Sequence, residues 1–143
     1  MEAWEEASCR AIFGGHHSPV RSLALNPANT LLVAGCADGV VGVWDVPRRR
    51  PLSRLRAHAG AVTAVVLSDQ LLFSGSADLT VRVWTLDHLH IQHLATLSSH
   101  GSPVHALGLS RDRMLLMGAT ATSTAVALWD VAQVRARAPT PIS

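Results

Sequence analysis

The chain has no lysine and no tyrosine among its 143 residues, and each absence removes a class of chemistry. Without lysine there is no phosphate loop of the Walker kind, no Schiff-base cofactor and no lysine base. The patterns G-x-S-x-G, H-E-x-x-H and C-x-x-C are missing too, which removes the usual hydrolase and zinc-site templates. Cysteine is limited to Cys9 and Cys36. With no close-spaced pair, they point to a reduced setting, cytoplasmic or nuclear, rather than to a disulfide framework. Charged residues make up only 15% of the chain and leave a net charge of +2. The uncharged stretch at 114–129 is too short and too rich in Thr and Ser to span a bilayer. The opening MEAWEEAS is acidic, unlike a secretory leader. The expectation is a protein that is not an enzyme, needs no metal or other cofactor, and does not enter the membrane.

What is present is a period. A histidine followed by a tryptophan occurs three times, as His16 with Trp44, His58 with Trp84, and His100 with Trp129. The histidines are 42 residues apart (58 − 16 and 100 − 58), and the tryptophans 40 and 45 apart (84 − 44 and 129 − 84). Each unit holds three short apolar runs separated by turn residues. They are Val20–Leu25, Leu31–Cys36 and 40–44, then Val62–Leu67, Leu71–Ser76 and 80–84, then Val104–Leu109, 114–119 and 124–129. A weaker fourth run follows each tryptophan. Helical repeats of this length would carry long stripes of period 3.6, so a repeat in the low forties built of β-type runs points to propeller blades. The near-continuous apolar runs LLVAGC, AVTAVVL and MLLMGA suit strands covered on both faces.

The spacing of Gly15-His16, Asp38 and Trp44-Asp45, with Trp129-Asp130 in the third unit, resembles the WD-repeat β-propeller family over most of the chain. The resemblance implies an all-β fold of three four-stranded antiparallel propeller blades, forming a partial, open β-propeller. Repeats are expected at 15–56, 57–98 and 99–137, with 1–14 ending a preceding blade and 138–143 a disordered tail. Trp4-Glu5 lies 12 residues before His16, which fits the end of a third strand in an earlier blade; residues 131–137 would form the last fourth strand.

In such a blade a histidine, a hydroxyl, a turn carboxylate and an indole N–H form one buried relay in which every polar group has a partner. The second unit carries all the parts: His58, Ser74 or Ser76, Asp78 and Trp84. The first offers His16, Asp38 and Trp44 but has Ala34 and Cys36 where the hydroxyl is expected. The third offers His100, Thr120 and Trp129 but lacks the Asp, with Thr122 and Ser123 in its turn.

Two other segments carry chemistry. His88, His90 and His93 are clustered, but on a strand the first two share a face and the third points away, so a solvated outer segment is favoured over a metal site. Arg48, Arg49, Arg50, Arg54 and Arg56 fall within nine positions, with no acid between Asp45 and Asp69. Such a run suits a charged outer edge strand that resists aggregation. It also suits a protein or phosphorylated ligand, or a nuclear-localisation patch. Nucleic acid is the least favoured, since no aromatic residues are interleaved.

Closed propellers have about four to eight blades, so three leave two apolar faces bare. A second copy, a partner chain, or the rest of a longer protein would have to cover them. The resemblance therefore implies a non-catalytic scaffold that assembles other proteins on its loops and rims. The alternatives are a basic module for phosphorylated or nucleic-acid ligands, acting through the arginine segment, and an inert or regulatory fragment of a larger propeller. Because its relay is complete, the second blade should show slower amide exchange than the third; the reverse order would contradict this ranking.

Overall fold

The computed structural model describes residues 13, 17–68, 70–87, 90–98, 101–112, 114–121 and 126–133. Within them lie eleven strands: β1 (Val20–Leu25), β2 (Leu31–Cys36), β3 (Val40–Asp45), β4 (Arg50–Arg56), β5 (Val62–Leu67), β6 (Leu71–Ser76), β7 (Thr80–Asp87), β8 (His90–Ser98), β9 (Val104–Leu109), β10 (Leu115–Thr120) and β11 (Val126–Asp130). They form three antiparallel sheets in chain order, β1 to β4, β5 to β8 and β9 to β11. The fold is all-β and the arrangement is an open, partial propeller, with the inner strands β1, β5 and β9 facing one another across successive sheets.

Among the described residues the third sheet has three strands. The stretch expected to supply its fourth, 131–137, begins with helical backbone at 131–133, and 134–137 lie outside the described residues. The local cause is Asp130. Its Oδ1 accepts the Ala132 N–H at 2.9 Å, the bond of a helix cap, while the Val131 N–H closes the sheet on the Met114 carbonyl at 2.8 Å. Asp45 does the same at the end of β3, where it accepts the Arg48 N–H at 3.0 Å and starts the turn into β4.

Residues alternate across each strand, so one sheet feeds two cores. Val33, Val41 and Val43 of the first sheet meet Val62, Val65, Leu67, Leu72 and Trp84 of the second. Leu71, Phe73, Val81 and Val83 point the other way, onto Val104 and Leu116 of the third. This is why these strands read as apolar throughout rather than as an alternation of apolar and polar.

The junctions are set by two glycines. A Cβ built on Gly35 would stand 2.5 Å from Val62 Cγ1, and one on Gly75 would stand 2.5 Å from Val104 Cγ1. The valine that opens each inner strand thus rests on bare backbone of the sheet before it. Thr63 adds a polar tie across the second junction, donating from Oγ1 to the Val104 carbonyl at 2.5 Å. Gly75→Ala should therefore force these sheets apart and cost about 1–3 kcal/mol, the usual range for overpacking; an unchanged midpoint in urea unfolding would show that the junction has slack.

Candidate functional site

The second blade brings the relay together. Trp84 Nε1 donates to Ser74 Oγ at 3.1 Å, Ser74 Oγ lies 2.8 Å from His58 Nε2, and His58 Nδ1 lies 2.9 Å from Asp78 Oδ2. His58 and Ser74 are both buried. Burial lowers the His58 pKa from its ordinary value, only partly offset by Asp78, so the ring is neutral at pH 7. Burial also pushes the Asp78 carboxyl up, but hydrogen bonds from Thr80 and His58 outweigh it and hold the group below its usual range. A neutral imidazole facing a carboxylate must carry its proton on Nδ1. Every donor then points along one direction: indole N–H to serine oxygen, serine O–H to Nε2, and Nδ1–H to carboxylate.

Two strands and two connections position these groups. Ser74 and Trp84 sit on the neighbouring strands β6 and β7, while His58 lies in the connection from β4 to β5. The relay therefore pins the link between the first and second sheets onto the second. Asp78 holds the β6–β7 turn, accepting the Thr80 N–H at 3.1 Å, the Thr80 hydroxyl at 2.6 Å and the Ala59 N–H at 3.2 Å. Thr80 was not singled out from the sequence, although a threonine two residues after a turn Asp is the signature of such a turn. Ser76 stands outside the relay; its Oγ accepts the Asp78 N–H at 3.0 Å.

The other blades have parts of this arrangement. Asp38 repeats the turn, accepting the Val40 N–H at 3.1 Å, and its own N–H goes to Ser18 Oγ at 3.1 Å. Ala34 stands at the place of Ser74 and offers Trp44 no hydroxyl, and the buried Trp44 ring covers Gly42. In the third blade Thr120 is not the counterpart of Ser74. Leu116 lies opposite Trp129 as Leu72 lies opposite Trp84, so Gly118 occupies the relay position and Thr120 that of Ser76. The extra residue between the third unit's second strand and its tryptophan hides this register in the sequence. Thr120 Oγ1 is buried and meets no hydrogen-bond partner among the described residues. His16 and His100 lie outside the described residues, as do Trp4 and His88.

The five arginines do not converge. Arg48 lies in the turn before β4, with Nη1 3.4 Å from Asp45 Oδ2, and its side chain is 77% exposed. Arg49, with φ of 56°, carries the turn into β4, where Arg50 is the first residue. Arg54 lies beside Trp44, Gly42 and Cys36, and the charge of Arg56 acts on Asp38. Arg48 is thus on the side facing the second blade, and Arg54 and Arg56 are on the other. The reason is the bulge in β4 at Leu52, which breaks the alternation expected of a regular strand.

Of the three clustered histidines, His93 is the one whose side chain the structure describes. His93 stands edge-on to Trp84, with ring centroids 5.2 Å apart, and its Nε2 lies 2.9 Å from Thr96 Oγ1. No group of three His, Cys, Asp or Glu able to hold a metal ion occurs among the described residues.

Comparison with known proteins follows the same repeat. A family model described as WD domain, G-beta repeat, matches residues 7–45 and 49–85. The second match runs from the outer strand of the first sheet to the third strand of the second, so one sequence unit straddles two blades. Transducin beta-like protein 3 from Bos taurus is 34% identical over 98% of this chain, which covers 18% of that protein. Mitochondrial division protein 1 from Schizosaccharomyces pombe is 30% identical over 83% of the chain, covering 21% of its length. The chain thus spans about a fifth of these curated relatives. The computationally designed Ika4 protein is similar in structure, with a TM-score of 0.72 and 32% identity over 84% of this chain and 71% of that one.

Ser74→Ala removes the atom shared by Trp84 and His58 and should cost about 1–3 kcal/mol, the penalty for buried polar groups left unpaired. Acid should act in the same direction. The unfolded chain protonates His58 at a higher pH than the native one does, so stability falls as pH drops through about 6.5, and Asp78 adds a further loss below the usual carboxylate range. Urea midpoints measured between pH 7.5 and pH 5 should decline; a flat or rising series would exclude a buried neutral His58.

Proposed function

The chain belongs to the WD-repeat family, and from that membership we propose that it is a non-catalytic platform that holds a partner protein through its uncovered blade faces. The observation that carries this reading is an equivalence of positions. Val20, Leu23 and Leu25 on β1 correspond to Val62, Val65 and Leu67 on β5. The β5 residues are buried in the first junction, whereas Leu23 is 63% exposed. On the opposite side, Met117, Val126 and Leu128 correspond to Phe73, Val81 and Val83, which are fully buried, yet all three are exposed. Each outer face repeats the apolar pattern of an inner junction.

The occupant that fits is a propeller sheet other than a second copy of this one. A second copy would bring Val20 onto Ala119, the position held by Gly35 and Gly75 at the inner junctions. There a Cβ leaves no room for the incoming valine at the inner-junction spacing. The dispersal of the arginines favours this reading over a basic module, since no single cationic surface is formed.

The test is photocrosslinking from benzoylphenylalanine placed at position 25 or 128 of the full chain in cells, with the exposed position 28 as control. Adducts from 25 and 128 should map by mass spectrometry to strands of another protein. Adducts confined to a second copy, or no more than position 28 gives, would overturn the reading.

A further inference from the structure

The first junction contains a cleft between the first and second sheets. It has a volume of about 690 Å³, within the range of ligand sites. Leu31, Val43 and Leu52 of the first blade and Leu86 and Ile91 of the second form its apolar walls, and Thr30, Asp45, Arg48 and Ser53 bring the polar groups. At the second junction the counterparts of Leu31 and Leu86 are Leu71 and Val131, both buried, and the counterpart of Leu52, Leu94, packs against the core. Phe73 fills that core where Val33 stands in the first. Among the described residues, the positions that line the cleft are thus more closely packed at the second junction.

Its chemistry is specific. Leu52 is the bulged residue of β4 and remains 38% exposed. Beside it the turn carries Arg48, Arg49 and Arg50 against the single carboxylate of Asp45. The Arg48–Asp45 contact, at 3.4 Å and with Arg48 largely in solvent, is weak and leaves the guanidinium able to take a second carboxylate.

We propose that this cleft is a docking site for an acidic segment of a partner protein, which seats one apolar side chain between Leu31, Leu52, Leu86 and Ile91 and sets a neighbouring carboxylate on Arg48. The combination is a dry anchor with a charged rim, in which the anchor supplies affinity and the rim supplies orientation. This rests on the platform reading above, and it names a second contact on that platform, on the side of the first sheet that faces the second rather than on its open face.

The experiment probes an array of nine-residue peptides with the labelled full chain. Each peptide has a central Leu, Phe or Ser between flanks of Glu or of Gln. Retention should require both an apolar centre and acidic flanks. Arg48→Glu should weaken it by about 10-fold or more, and Leu52→Ser should abolish the preference for Leu over Ser, with both variants keeping the wild-type unfolding midpoint. No retention, retention indifferent to the central residue, or retention unchanged in both variants would overturn the proposal. If the array fails while adducts from positions 25 and 128 persist, the cleft is refuted and the platform stands.

Discussion

The rest of the molecule depends on one contact, a valine laid on a glycine. Val62 rests on Gly35 and Val104 on Gly75, with no side chain between them, and this fixes how closely two apolar sheet faces approach. Interiors are packed to the density of organic crystals, so a single methyl group at either place alters the whole face. The alternation of the strands follows from the same contact. A sheet clasped on both sides must be apolar on both sides, which Leu72 and Phe73 show by pointing into different cores.

Polar interactions come second and act where the sheets cannot. Antiparallel pairing satisfies the strands, but the link from an outer strand to the next inner one has no ladder to join. In the second blade His58 solves this by carrying its ring into the sheet, where Ser74, Asp78 and Trp84 leave it no unmet proton or lone pair. Where Ala34 or Gly118 replaces Ser74, apolar packing of Trp44 or Trp129 against Gly42 or Gly118 takes over. The blades share a frame but not a chemistry.

Much of this was legible in the residues. The strands Val20–Leu25, Leu31–Cys36, Val62–Leu67, Leu71–Ser76 and Val104–Leu109 lie where their apolar runs predict, because each run is short, rich in apolar residues and closed by turn residues. In the second blade the spacing picked out His58, Asp78 and Trp84 but left the hydroxyl open between Ser74 and Ser76, and it is Ser74 that lies between His58 and Trp84. What was hidden had a common cause in local irregularity. One inserted residue disguised Gly118 as Thr120, and the bulge at Leu52 split an apparently single arginine cluster. The cleft could not be read at all, because it arises from side chains that different units bring together.

The stagger between sequence unit and sheet has a consequence for inheritance. Residues 49–85 lend β4 to the first sheet and β5 to β7 to the second. A lesion in that one unit is therefore felt in two sheets, and no sheet can be exchanged by recombination as a self-contained cassette. A copied unit would bring with it half of each of two junctions, and whether it settled into the stack would be decided by its neighbours' glycines as much as by its own residues.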